Sequence, residues 1–400
     1  MIQTDPCRVD EHSYDTAVVK RRASGVRSDK QTRELKKLYI EPTSTCNLAC
    51  TMCFRKTWID EAFAHMDISV FNNIMNTMPE SVETVFFGGM GEPLNHKDIL
   101  CMVKAASDCG KRVELLTNGT LLTQDMSVRL LDAGLGMLWV SIDSFDTESY
   151  EHIRKNSNFS LIKRNIMKFN AERAKRDDAA QLGIAFVAMK SNIGQLGRLA
   201  QFAHENSVSK VNISNVIPTD SASLKESLYD RTVSLDLNSQ NAHGTYPEIN
   251  IPFMDFQIAG ARDGFMDLLR SNCNIMLSGE PVMRKKRYCR FIEEGNAFVR
   301  HDGDVSPCMA LLHSGVTYLE GTKRTVYHHS FGNVNEQNLS DIWDSREYTE
   351  FRELVRAFDF SPCIQCGGCE NREDNRRDCL GNQKPTCGAC LWSEGIISCP

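Results

Sequence analysis

Between residues 37 and 217, six short apolar runs alternate with longer amphipathic stretches. The runs are 37–42 (KLYIEP), 83–88 (ETVFFG), 112–117 (RVELLT), 137–143 (MLWVSID), 182–189 (LGIAFVAM) and 210–217 (KVNISNVI). Each is rich in β-branched or aromatic residues and has the length of a buried strand. Helical spacing of apolar residues over 68–78, 97–109, 124–133, 161–173 and 193–206 predicts the helices between them. Strands alternating with helices imply βαβ units and a parallel sheet. Six units predict an α/β fold, a partial (βα)6 TIM-like barrel over 37–217, with its chemistry at the C-terminal ends of the strands.

The rhythm stops on either side. Residues 1–36 are charged and read as a polar N-terminal arm. Residues 218–280 carry PTDSAS, NSQNAHGTYPE and IPFMDF and read as a connector or insertion, with a helix near 260–269. Residues 281–400 are rich in Cys and Gly, with one amphipathic helix over 339–356. Such a composition predicts folding around metal.

Composition narrows the function. With 41% hydrophobic and 24% charged residues the chain is an ordinary globular one. A net charge of -6 argues against nucleic-acid binding, which favours a basic surface. No apolar run reaches the roughly 20 residues that span a bilayer, and the N-terminus lacks the build of a secretory signal. A cytoplasmic protein with no membrane partner is expected.

The 16 cysteines change the picture most. In a reducing compartment they point to metal rather than disulfides. Cys7, Cys101, Cys109 and Cys273 are scattered and read as packing thiols. Cys46, Cys50 and Cys53 form a C-x3-C-x2-C run directly after the first strand. Three thiolates leave one iron of a [4Fe–4S] cube open, whereas electron-transfer clusters use four. A zinc knot or a ferredoxin-like cluster is the other reading of this spacing. Polar segments also follow the next strands: 88–93 (GGMGEP), 117–119 (TNG) and 141–144 (SIDS).

The C-x3-C-x2-C run matches the motif of the radical S-adenosylmethionine (SAM) superfamily, and the resemblance extends over 37–217. GGMGEP resembles the family's GGEP motif with two extra residues. The resemblance implies that Gly88, Gly89, Gly91 and Glu92 meet the methionyl amino group, with Glu92 as acceptor for the ammonium. WVSIDSFDTESYEHIR is similar to the family's fourth-strand segment, which places Ser141 and Asp143 near the SAM ribose or carboxylate. Helix capping is the competing reading of these polar residues. Asn118 would line the same pocket, although Asn-Gly is also a turn signal. Met52 stands where the family often has an aromatic residue, and altered packing is expected there. The family implies reductive cleavage of SAM to a 5′-deoxyadenosyl radical, with reduced ferredoxin or flavodoxin as donor.

The segment FGNVNEQNLSDIWDSREYTEFRELV, followed by SPCIQC, resembles the SPASM domain, so 281–400 is expected to be a SPASM-type domain with one or two auxiliary [4Fe–4S] clusters. Its candidate ligands are Cys289, Cys308, Cys363, Cys366, Cys369, Cys379, Cys387, Cys390 and Cys399. The resemblance makes Cys289 and Cys308 the opening pair. The run Cys363, Cys366, Cys369 and the pair Cys399-Pro400 instead look like ferredoxin ligands. Zinc ribbons are the alternative for the C-x2-C pairs.

CFRKTW, FGGMGEP and CGACLWSEGIISCP most resemble the tungsten cofactor oxidoreductase radical SAM maturases. That resemblance implies a cofactor or protein substrate in maturation of a tungsten-dependent aldehyde:ferredoxin oxidoreductase. A SPASM-type peptide or protein modifier is the alternative within the class. A non-catalytic multi-cluster electron carrier is the alternative outside it. Arg55 and Trp58, near the third cysteine, either face substrate or pack a helix. His301, Asp302 and Asp304 in HDGD either serve the site or form a surface turn.

Overall fold

The computed structural model describes residues 34–400 except 60–61, 177–179, 230–247, 253, 255–257, 259, 270–273, 278–279, 282–287, 320, 365–368 and 384. Cys7, Cys273, Cys366 and nearly all of the expected arm therefore lie outside the described residues.

The six predicted runs form β1 (Lys37–Ile40), β2 (Thr84–Phe87), β3 (Arg112–Thr117), β4 (Met137–Ser141), β5 (Gln181–Ala188) and β6 (Lys210–Asn215). All neighbours among them pair in parallel and in sequence order. Between them lie α1 (Ile68–Thr77), α2 (Ile99–Asp108), α3 (Gln124–Asp132), α4 (Thr147–Ile153), α5 (Phe159–Arg173) and α6 (Leu196–Glu205). Asp67, Thr123, Asp146 and Asn158 cap α1, α3, α4 and α5 with side-chain oxygens on backbone N–H groups. Such caps are each worth about 1 kcal/mol. The short α4 escaped the periodicity because only Tyr150 and Ile153 of its seven residues are buried.

Strand alternation sorts the interior into two layers. Leu38, Ile40, Val85, Phe87, Val113, Leu115, Leu138 and Val140 join the core beneath the helices. Tyr39, Phe86, Met137 and Trp139 point the other way, into a smaller cluster inside the curved sheet.

The sheet does not end with the barrel. Its order is β11-β10-β1-β2-β3-β4-β5-β6, where β10 (Asn296–Val299) pairs parallel with β1 and β11 (Val305–Ser306) runs antiparallel to β10. Segments expected in a separate C-terminal domain thus complete the barrel sheet. An unpaired β1 would present a row of open backbone groups, which β10 covers. The connector holds α7 (Ser221–Lys225), α8 (Ala261–Leu269) and a small sheet of β7 (Glu248–Ile251), β8 (Asn274–Leu277) and β9 (Glu280–Pro281).

Beyond it come α9 (Arg290–Glu293), the hairpin β12 (Gly315–Leu319) and β13 (Thr322–Val326), then α10 (Leu339–Asp344) and α11 (Arg346–Ala357). The single helix expected over 339–356 is two helices. Ser345 is extended (φ -56°, ψ 147°), and its hydroxyl caps α11. Arg352, fully buried, donates to the Trp343 carbonyl at 2.7 Å, satisfying the helix end that the break exposes. Tyr348, Phe351 and Val355 of α11 lie in the same core as the barrel residues.

Candidate functional site

The site is built on the loops that follow β1 to β4. Gly91 lies so close to the loop after β1 that a Cβ would stand 2.0 Å from the Thr43 carbonyl oxygen. The Glu92 N–H donates to the Thr45 carbonyl at 2.8 Å, joining the second loop to the first. Gly91→Ala is expected to force these loops apart and to lower iron content after reconstitution, measured by colorimetric iron assay. A variant with wild-type iron would show that the approach is not needed. Gly89 adopts φ +116° and packs on the Glu41 side chain, while Gly88 is bounded by the Phe86 ring.

Glu92 is turned inward. Its carboxylate accepts from Leu94 N (3.1 Å), Thr117 Oγ1 (2.7 Å) and Asn118 N (2.7 Å). Burial pushes its carboxyl up, against the downward pull of these donors. Where the sequence reading made it an ammonium acceptor, its visible work is pinning β3 to the second loop. Asn118 is delivered by that contact. Its amide donates to Asn47 Oδ1 at 2.9 Å and reaches Cys46 Sγ at 3.7 Å.

Cys46, Cys50 and Cys53 are each partly buried. Burial pushes the Cys46 and Cys50 thiols up, and the three lie close enough for their charges to interact. The loop is fastened to α4 by Ala49 N to the Lys155 carbonyl (3.1 Å) and Thr51 N to the Ile153 carbonyl (2.8 Å). Met52 packs with Ile153, Met189 and Val216, which is where its unbranched side chain finds room. Arg55 is half-buried. Its guanidinium donates to the Ser44 carbonyl at 3.3 Å and the Leu48 carbonyl at 3.2 Å, so it cinches the cysteine loop.

Ser141 ends β4, partly buried. Asp143 is fully buried and lies 2.7 Å from Arg154, while its other oxygen accepts from Val187 N at 2.8 Å. Sequence reading missed Arg154. Burial alone would lower its guanidinium, but Asp143, with Cys50 and Tyr150, raises it, so it stays charged beside the cysteine loop. Burial pushes the Asp143 carboxyl up, while the adjacent guanidinium and the Val187 N–H pull it down.

The segment after Cys53 docks on the hairpin. Thr57 Oγ1 donates to the Val316 carbonyl at 3.0 Å, Ile59 N donates to the Ser314 carbonyl at 3.2 Å, and Trp58 stacks on His313 with ring centroids 4.0 Å apart. HDGD does form a turn, closed by Gly303 N to the Arg300 carbonyl at 2.9 Å. Asp302 and Asp304 pair with Arg300 there, but His301 turns inward to Glu41. Burial would raise the Glu41 carboxyl, but hydrogen bonds from His301, His313 and Met90 N hold it down to about 2. Glu41 and His313 were both missed. A charged residue directly after an apolar strand of a barrel was the available signal for Glu41.

The C-terminal cysteines divide. Cys289, Cys308, Cys387 and Cys390 line one cavity, together with Phe291, Phe351 and Trp392. Burial pushes Cys289 up to about 12 and also pushes Cys308 and Cys387 well up, with Cys390 adding to all three. Four buried thiols converging on one cavity are the donor set of a metal or cluster, which takes them as thiolates. Cys363 is buried nearby, and the Ser361 hydroxyl lies 3.0 Å from the Cys379 sulfur. Cys369 is exposed at the start of a 3-10 turn. Arg324, buried, feels Cys390, Cys363 and Cys387, so one cation serves both groups. Cys399 packs in the same apolar cluster as Cys289, Cys308 and Trp392. Trp392 Nε1–H donates to its sulfur at 3.3 Å, and burial pushes it up to about 11. Cys101, read as a packing thiol, is disulfide-bonded.

A partial barrel with three loop thiols at its mouth and four more in one cavity defines a radical SAM protein with an auxiliary iron–sulfur domain. Residues 40–176 match the radical SAM superfamily, and 289–370 match SPASM, an iron-sulfur cluster-binding domain. The tungsten-containing aldehyde ferredoxin oxidoreductase cofactor-modifying protein of Pyrococcus furiosus is 31% identical over 92% of this chain and 97% of its own length. The chain belongs to the radical SAM superfamily and, within it, to the family of that protein. It is also 23% identical to the AdoMet-dependent heme synthase of Nitratidesulfovibrio vulgaris, over 87% of this chain and 90% of that one. Among solved structures, SuiB of Streptococcus suis bound to SAM superposes with a TM-score of 0.54 at 18% identity, covering 84% of this chain and 71% of SuiB. anSMEcpe with bound AdoMet and a peptide gives 0.54 at 16% identity, covering 91% and 96%. Both show the fold. No helix among the described residues is long and apolar enough to cross a membrane.

Proposed function

We propose that this enzyme cleaves SAM reductively at a [4Fe–4S] cluster held by Cys46, Cys50 and Cys53, and modifies a cofactor or protein in the maturation of a tungsten-dependent aldehyde:ferredoxin oxidoreductase. The observation that carries this reading is the meeting of the three-thiol loop with the 88–93 loop and Asn118 at the ends of β1 to β3. The family relationship supplies the substrate class. When bound, the cluster and SAM supply a 5′-deoxyadenosyl radical able to take hydrogen from an unreactive C–H bond.

The chain's own residues orient and shield. Gly89 and Gly91 let the second loop approach the first, and Gly88 leaves room for the Phe86 ring. Glu92 fixes its backbone, and Asn118 donates toward Cys46. Arg154, braced by Asp143, places a fixed positive charge beside Cys50, where anionic cluster and carboxylate charge would gather. Ser141 borders the same pocket. Cys289, Cys308, Cys387 and Cys390 hold one auxiliary cluster. Cys363, Cys369 and Cys379, with Cys366, are the ligands for a second. The electron donor is a reduced ferredoxin or flavodoxin, and the protein works in the cytoplasm.

Anaerobically reconstituted protein reduced with dithionite is expected to convert SAM to 5′-deoxyadenosine. Absence of that product would return the chain to the electron-carrier reading. Tungsten oxidoreductase from a host lacking this protein should then change mass in its pterin cofactor on incubation. A mass change in the polypeptide would make the protein itself the substrate.

A further inference from the structure

One group of ligating side chains at the barrel mouth contains no cysteine. Glu41 is the first residue beyond β1, His301 the second beyond β10, and His313 stands two residues before β12. Glu41 Oε2 lies 3.2 Å from His301 Nδ1 and 2.8 Å from His313 Nε2. One donor atom from each of the three lies within 4.8 Å of the others. Glu41 and His313 are 1% and 0% exposed at the side chain, and His301 is 12% exposed.

The group is held from several sides. Met90 N donates to Glu41 Oε1 at 2.9 Å, Gly89 packs on the Glu41 stem, and the Trp58 ring covers His313. Two imidazoles therefore converge on a single carboxylate oxygen in the interior. Ligands about 2.1 Å from an ion stand about 3.0 Å apart at right angles and about 3.4 Å apart in a tetrahedron, so the 3.2 and 2.8 Å found here need to open by only a few tenths of an ångström. Two histidines and one carboxylate form a recurrent N2O donor set for divalent first-row metals, and three protein ligands leave further positions open.

We propose that Glu41, His301 and His313 bind one divalent first-row transition-metal ion, of which zinc is the convenient probe. This ion is separate from the iron–sulfur clusters, because its ligands are nitrogen and oxygen rather than thiolate. It lies where the 88–93 loop, the β10 turn and the hairpin meet, beside the SAM pocket of the function proposed above. Its open positions suit an oxygen or sulfur atom of a substrate. Only this placement beside substrate rests on that function; metal binding itself does not depend on SAM cleavage.

The test uses anaerobic protein already loaded with iron and sulfide, dialysed against zinc chloride, desalted and counted by mass spectrometry. One zinc per chain is expected in the wild type, and at least tenfold less in His301→Gln and His313→Gln at equal iron and sulfide. Zinc K-edge X-ray absorption of the wild type should give nitrogen and oxygen neighbours at about 2.0–2.1 Å without sulfur at about 2.3 Å. No zinc in the wild type, equal zinc in both variants, or a sulfur shell would overturn the proposal. Should a variant lose iron as well, the wild-type absorption spectrum decides alone. Loss of SAM cleavage with zinc binding intact would count against the proposed function and leave the metal site standing.

Discussion

Cys50→Ala is expected to reduce 5′-deoxyadenosine formation to background and to remove about four irons per chain while the auxiliary clusters remain. Cys50 sits between two backbone anchors, Ala49 N on the Lys155 carbonyl and Thr51 N on the Ile153 carbonyl. These bonds do not involve its side chain, so the loop should keep its path and lose only the thiolate. Two remaining thiolates cannot hold the cube with one iron open for SAM. Iron and sulfide counts and the 5′-deoxyadenosine assay check this together. Persistent SAM cleavage would remove Cys50 from the ligand set. Loss of all iron would instead place it in the folding of the whole chain.

Arg154→Met is expected to destabilise the protein by about 3–5 kcal/mol, because Asp143 would keep a buried charge without its partner. Asp143 is 0% exposed and Arg154 8% exposed at the side chain, so water cannot take the place of the missing guanidinium. The Val187 N–H is the one other donor to the Asp143 carboxylate found among the described residues. Adding Asp143→Asn should recover much of the loss, since two neutral side chains leave no unpaired charge. Urea denaturation midpoints of the single and double variants give the comparison. A single variant within about 1 kcal/mol of wild type would mean that the pair is not ionised. SAM cleavage in the double variant would separate the structural part of this pair from a direct role of Arg154 beside Cys50.

The parts of this fold legible along the chain are those whose cause is local. Buried parallel strands read as continuous apolar runs because both faces are covered. All six appear where KLYI, TVFF and their successors stand. The cysteine loop was equally legible, since its three thiols lie within eight residues. Failures of the local reading have local competitors. The stripe over 339–356 keeps its period through Ser345, and only the extended backbone there, with Arg352 closing the gap, reveals two helices.

The direction of a polar side chain was not legible. Glu92 and Asp143 were identified as chemistry-bearing, but a sequence cannot say that one reaches Thr117 and Asn118 while the other reaches Arg154. Nor could spacing sort the C-terminal cysteines. Cys289 and Cys308 meet Cys387 and Cys390 about 80 residues later, past the nearer run that begins at Cys363. Nor could the sequence show that β10, from the C-terminal part, pairs with β1 across more than 250 residues. That pairing also brings His301 and His313 to Glu41. The sequence alone determined the strands, most helices, the loop thiols and the class of chemistry, because burial period and short-range spacing are written residue by residue. Which distant groups share a site was decided only by the tertiary structure, because sheet order and packing, rather than any local preference, set those distances.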